Sequence, residues 1–140
     1  MPHEQSANVV TTILIDHDIE GQAELLLGTI VAEGWLELDP LEFVTFADLD
    51  LPVTTPDRVV WRLAQSRQML LLTNNRNMND ADSLERTIRE ESTARTLPVL
   101  TIGSKDAMFE LEYRQRCAER LVEIVVYLEN YLGTGRIFIP

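Results

Sequence analysis

Short apolar runs recur along this chain at intervals of roughly 30 residues, and between them lie stretches with apolar side chains at helical spacing; strand-helix alternation of this kind demands a parallel sheet. Thr11 to Ile15 is β-branched and aliphatic and ends at Asp16. Glu20 to Glu33 follows with Ala23, Leu26, Leu27, Ile30 and Val31 on a helical stripe, stopped by Gly34. Phe43 to Phe46 is the second strand, and a loop through Asp48, Asp50 and Pro52 leads to Thr55-Pro56, an N-cap and first-turn proline for a helix to about Gln68. The inward face of that helix is expected to hold Val59, Val60, Leu63 and Ala64. Met69 to Thr73 is uninterruptedly apolar, as a central strand covered on both faces must be.

Asn74 to Asp80 is asparagine-rich and reads as a loop, and Asp82 with Glu85 resembles a capping box for a helix to about Glu91. Pro98 to Ile102 is a fourth strand, and Ser104 is placed to cap the next helix. That long helix is predicted from about Asp106 to Tyr131, with Ala118, Leu121, Val122, Val125, Leu128 and Leu132 on one stripe, broad enough to pack on the sheet and to join two copies as a homodimer. Arg136 to Ile139 ends the chain as an edge strand. The expectation is one α/β domain over residues 11–140 behind a polar tail, residues 1–10. It is a three-layer αβα sandwich on a mostly parallel five-stranded sheet, wound by right-handed crossovers.

With 140 residues there is room for one core. No apolar run reaches the roughly 18 residues that cross a bilayer, and the amino-terminal residues lack a basic flank and apolar segment, so a cytoplasmic location is expected. The one cysteine, Cys117, suits a reducing compartment and reads as a helix residue of the core. A formal charge of −11 argues against a protein that holds nucleic acid by neutralising phosphates, though not against an enzyme that meets a phosphodiester through a bound cation.

Ligands of such sheets lie beyond the carboxyl ends of the strands where the winding reverses. Asp16 ends the first strand there, and Asn74, Asn75 and Asn77 follow the third. Asp57, in the first turn of its helix, is expected to share that hollow, with Asp18 or Glu20 beside it. Carboxylates so gathered repel unless a proton or cation intervenes, and oxygen donors without a Cys or His cluster favour Mg²⁺ or Mn²⁺ over zinc. His17 is a candidate to orient water or move a proton. Arg58, Arg62 and Arg76 are candidate phosphate contacts. Asp16 as a receiver of loop amides, Asp57 as a partner of the helix dipole and the asparagines as turn formers are the simpler structural readings.

The runs Ile13-Leu14-Ile15-Asp16-His17-Asp18, Thr55-Pro56-Asp57-Arg58-Val59-Val60-Trp61-Arg62-Leu63-Ala64 and Leu70-Leu71-Leu72-Thr73-Asn74-Asn75-Arg76-Asn77-Met78 resemble the short PIN-like domain proteins of prokaryotes, and the element order matches along nearly the whole chain. The resemblance implies a ribonuclease that binds Mg²⁺ or Mn²⁺ at Asp16 and Asp57, and Asp18 by extension, often as the toxin partner of an antitoxin protein. The family's aspartates after the third strand are Asn75 and Asn77 here, which coordinate through a carbonyl oxygen and bring no charge; Asp80 or Asp82 would have to compensate. An inactive PIN-like interaction module is the alternative. A receiver- or flavodoxin-like binding domain has the same layering but lacks the phosphoacceptor aspartate after the third strand. A serine hydrolase lacks its G-x-S-x-G elbow and a phosphate loop its G-x-x-x-x-G-K-[ST].

Overall fold

The computed structural model describes residues 9–74 and 83–140. In chain order the elements are β1 (Thr11–Ile15), a 3-10 turn (His17–Ile19), α1 (Glu20–Ala32), a short α2 (Trp35–Leu38), β2 (Leu41–Val44), a 3-10 turn (Ala47–Leu49), α3 (Asp57–Ser66) and β3 (Leu70–Asn74). Beyond these come α4 (Leu84–Glu91), β4 (Val99–Ile102), a 3-10 turn (Asp106–Phe109), α5 (Leu111–Val126), a 3-10 turn (Leu128–Tyr131) and β5 (Arg136–Ile139). All five strands are parallel, in the order β2-β1-β3-β4-β5. The predicted three-layer α/β fold is therefore the observed one.

Alternation along the strands sorts the core into two halves. Ile13, Ile15, Leu70, Leu72, Leu100 and Ile102 point to one face, where Leu26 and Ile30 of α1 meet Cys117, Leu121 and Ile124 of α5. Leu14, Leu71 and Val99 point to the other, covered by Val60, Trp61 and Ala64 of α3 and by Leu84 of α4. Val59, expected inside, is exposed, because the inward stripe of α3 is turned toward Trp61.

From β1 the chain moves outward to β2 over the α1 face, then returns past β1 to β3 and on to β4 over the α3–α4 face. Those three crossovers share one hand. The last does not: β4 to β5 continues in the same direction, yet α5 lies on the α1 face, so this crossover has the opposite hand. Uniformly right-handed winding is the expectation, and about 98% of crossovers obey it. Side-chain chemistry accounts for the departure. On the α3–α4 side, β4 and β5 present Thr101, Arg136 and the half-exposed Phe138, with Arg136 bonded to Thr101 and paired with Glu85, whereas Ile137 and Ile139 face the apolar α1 side that α5 completes.

The predicted long helix is interrupted. Its first turn is a separate 3-10 segment capped by the Ser104 hydroxyl, which accepts from Ala107 N at 3.2 Å, and it ends at Val126 before another 3-10 turn. Ala118, Leu121, Val122 and Val125, read from the sequence as a homodimer surface, are buried within the chain. These four pack on α1 and the sheet, while Leu128 and Leu132 of the same stripe are partly exposed. Ser83 caps α4, its hydroxyl accepting from Arg86 N at 3.2 Å.

Gly133 turns the chain into β5 at φ 80°, its N–H bonded to Thr96 O. A Cβ there would meet the backbone oxygen of Ala94 at 3.0 Å and its Cα at 3.1 Å. Backbone cannot yield as a side chain does, and left-handed φ disfavours any side chain. Gly133→Ala is expected to destabilise the protein by about 1 to 3 kcal/mol, measured by urea unfolding; an unchanged midpoint would contradict this packing.

Candidate metal centre at the strand tips

Winding direction reverses between β1 and β3, the place where open α/β sheets leave a crevice beyond the carboxyl ends of their strands. Asp16 stands at that point, only 7% exposed. Its backbone N–H continues the β1–β3 ladder to Leu72 O, which fixes the side chain's origin. The Thr73 hydroxyl donates to Asp16 Oδ2 at 2.7 Å, and Asp18 N donates to Oδ1 at 3.3 Å. The carboxylate is thus oriented from two directions by neutral donors.

The 3-10 turn after β1 folds the next two side chains back over it. Ligand atoms of Asp16, His17 and Asp18 all lie within 4.8 Å of one another. His17 Nδ1 is 3.4 Å from Asp18 Oδ1, and the imidazole meets Phe46 edge-on with ring centroids 5.4 Å apart. Phe46 therefore limits how far the imidazole can swing. Residue type alone makes His17 a candidate proton carrier, and its membership of this trio is set by the turn.

Asp57 is not part of that group. It begins α3, and its Oδ2 accepts from Leu84 N, the first amide of α4, at 3.3 Å. First-turn amides have no partner within their own helix, and two helix N-termini favour a negative charge between them. Arg58 and Arg62, read from the sequence as phosphate contacts, turn toward α4 instead. Arg58 pairs with Glu91 and with Glu90, the latter at 2.8 Å, and Arg62 meets Glu91 at 2.7 Å. These pairs clamp α3 to α4 through the ordinary attraction of opposite charges at contact distance.

Asn74, expected to open the loop, is the last residue of β3 and 8% exposed. Among the described residues its Oδ1 is buried without a hydrogen-bond partner. By strand alternation its side chain leaves β3 on the face opposite to Thr73. Asn75, Arg76, Asn77, Asp80 and Asp82 lie outside the described residues.

The clamp carries a pH dependence. Hydrogen bonds from Arg62, reinforced by Arg58, hold the Glu91 carboxyl down from an ordinary 4.5 to about 2 against the opposing effect of desolvation. A folded-state pKa below the unfolded one stabilises at pH above 4.5, and that contribution fades as pH falls toward 2. Glu91→Gln is expected to flatten the loss of Tm between pH 5 and 3 relative to wild type. Parallel Tm curves for the two proteins would refute it.

No protein-family model matches the chain, and no curated protein and no solved structure is similar to it.

Proposed function

We propose that this chain is a PIN-like domain protein acting as an Mg²⁺- or Mn²⁺-dependent ribonuclease. The observation that carries the reading is the buried Asp16 carboxylate, aimed by Thr73 and grouped with Asp18 and His17 where the sheet reverses its winding. Asp16 and Asp18 would supply the anionic oxygens for a divalent cation. A cation bound by these carboxylates would polarise a phosphodiester and lower the pKa of a water for in-line attack. Thr73 and the Asp18 amide keep Asp16 in one orientation, so little ordering is left to be done when a cation or substrate arrives. His17, buttressed by Phe46, is placed to pass a proton to or from the reacting oxygens. Asp57 acts through structure, holding the N-termini of α3 and α4 together beside the site.

A second reading is supported by Arg58 and Arg62, whose guanidinium groups are engaged by Glu90 and Glu91 and not presented as an open phosphate clamp. In that case the domain binds a protein partner of antitoxin type and does not cut. A receiver-like role fits less well, since Asn74 stands at the tip of β3 where a phosphoacceptor carboxylate is needed. Calorimetric titration of Mn²⁺, followed by incubation with single-stranded RNA, decides between them. A defined binding heat with Mn²⁺-dependent cleavage is expected; metal at millimolar concentration with neither heat nor cleavage refutes the nuclease.

A further inference from the structure

Charge is distributed along this chain with unusual bias. All 12 Lys and Arg residues lie from Arg58 onward, where they offset 11 acidic groups, so the excess negative charge belongs to residues 1–57, which hold 12 acidic groups and include β1, α1, α2 and β2. The β2 edge of the sheet and α1 therefore carry acidic groups with no Lys or Arg of their own, and Arg114 of α5 is the cation that reaches α1, at Thr29.

Between α1 and the start of α5 lies an open groove of about 770 Å³, lined on the α1 side from Gly21 to Glu33. Gly21 and Gly28 lie along its α1 wall, and a Cβ built on either meets nothing within 4 Å. Leu25 and Leu111 offer partly exposed apolar surface to it, and Glu24 and Glu33 bring carboxylates to its lining. Its floor is firm: Arg114 donates to Thr29 Oγ1 at 3.1 Å and to Met108 O at 2.9 Å, tying the two helices together beneath it.

We infer that this α1–α5 groove is a docking site for a basic amphipathic helix of a partner protein. Missing side chains at Gly21 and Gly28 let a helix approach the α1 backbone, Leu25 and Leu111 meet its apolar stripe, and the two glutamates meet its lysines or arginines. α1 has 13 residues and at 1.5 Å per residue is about 20 Å long, matching a guest of roughly 13 residues. Charge selects the occupant. A second copy would bring an equally acidic face, and RNA would bring phosphates, so both are repelled where a cationic helix is attracted. The groove shares no lining residue with the Asp16, His17 and Asp18 group, and its role stands or falls without that site.

The probe is a synthetic amphipathic peptide of leucine and lysine about 14 residues long, with a scrambled peptide of the same composition as control. Tight binding of the amphipathic peptide alone is expected, weakened about tenfold or more by Gly28→Trp and by the Glu24→Lys/Glu33→Lys pair. The Glu42→Lys/Asp50→Lys pair, in the same acidic region but outside the groove, is expected to change affinity less than about twofold. A tryptophan at Gly28 enters open space on an exposed helix face, so unchanged Tm verifies that the variant folds. Equal binding of the scrambled peptide, equal loss for both charge-reversal pairs, or indifference to Gly28→Trp would each overturn the inference. So would a concentration-dependent dimer in sedimentation that Gly28→Trp abolishes, which would make a second copy the occupant.

Discussion

Asp16→Asn is expected to abolish Mn²⁺ binding and to lower Mn²⁺-dependent RNA cleavage by at least about 100-fold, the scale on which loss of a single oriented catalytic group is felt. The substitution keeps the shape of the side chain and one acceptor oxygen, so the contact from Thr73 Oγ1 or from Asp18 N can persist while the charge is gone. Stability is therefore expected to fall by only about 1 to 2 kcal/mol, from the mismatch of an amide with two donors. Calorimetry and a cleavage assay on the same sample read the two effects separately. Asp57→Asn provides the contrast: its oxygen serves Leu84 N, so the expected result is a lower Tm with Mn²⁺ affinity within a fewfold of wild type. If Asp57→Asn removes metal binding as completely as Asp16→Asn, the two carboxylates share the ion and the three-residue grouping is incomplete.

Leu72→Ala is the largest stability effect expected. Leu72 has no exposed surface, lies in the central strand between β1 and β4, and belongs to the core half shared by α1 and α5. Strands flank it on both sides and helices lie above, so the backbone cannot collapse into the vacated space, and a cost of about 2 to 5 kcal/mol follows. For a chain of this size that is a fall in Tm of roughly 3 °C per kcal/mol. Leu38→Ala, on an exposed side chain of α2, is expected to stay within about 0.5 kcal/mol. Similar midpoints for Leu72→Ala and Leu38→Ala in denaturant would mean that the packing of the central strand is not as described.

The burial of Cys117 illustrates how far local pattern carries. Its place on a helical stripe points to the core, and with no exposed surface its thiol is pushed up to about 12 by desolvation, the opposite of a reactive cysteine. Local pattern also places Arg136–Ile139 as a strand to the residue, because glycines and a terminus bound it. It fails where length is judged from periodicity alone. The stretch from Asp106 to Tyr131 keeps helical spacing throughout, but only Leu111–Val126 lies flat on the sheet, and its ends tighten into 3-10 turns.

Strand number, helix alternation and the placing of Asp16 at a strand tip were all legible in the sequence because each follows from short-range periodicity and residue type. Long-range partnership was not. Whether Arg58 meets a phosphate or Glu91, 33 residues away, whether Asp57 faces an ion or the first amide of α4, and on which face α5 returns are decided by how the layers dock. A charged side chain takes the best compensation within reach, and what lies within reach is a property of the assembled fold. The acidic bias of the first half of the chain was there to be read in the order of residues, and only the gap between α1 and α5 gave that charge a shape.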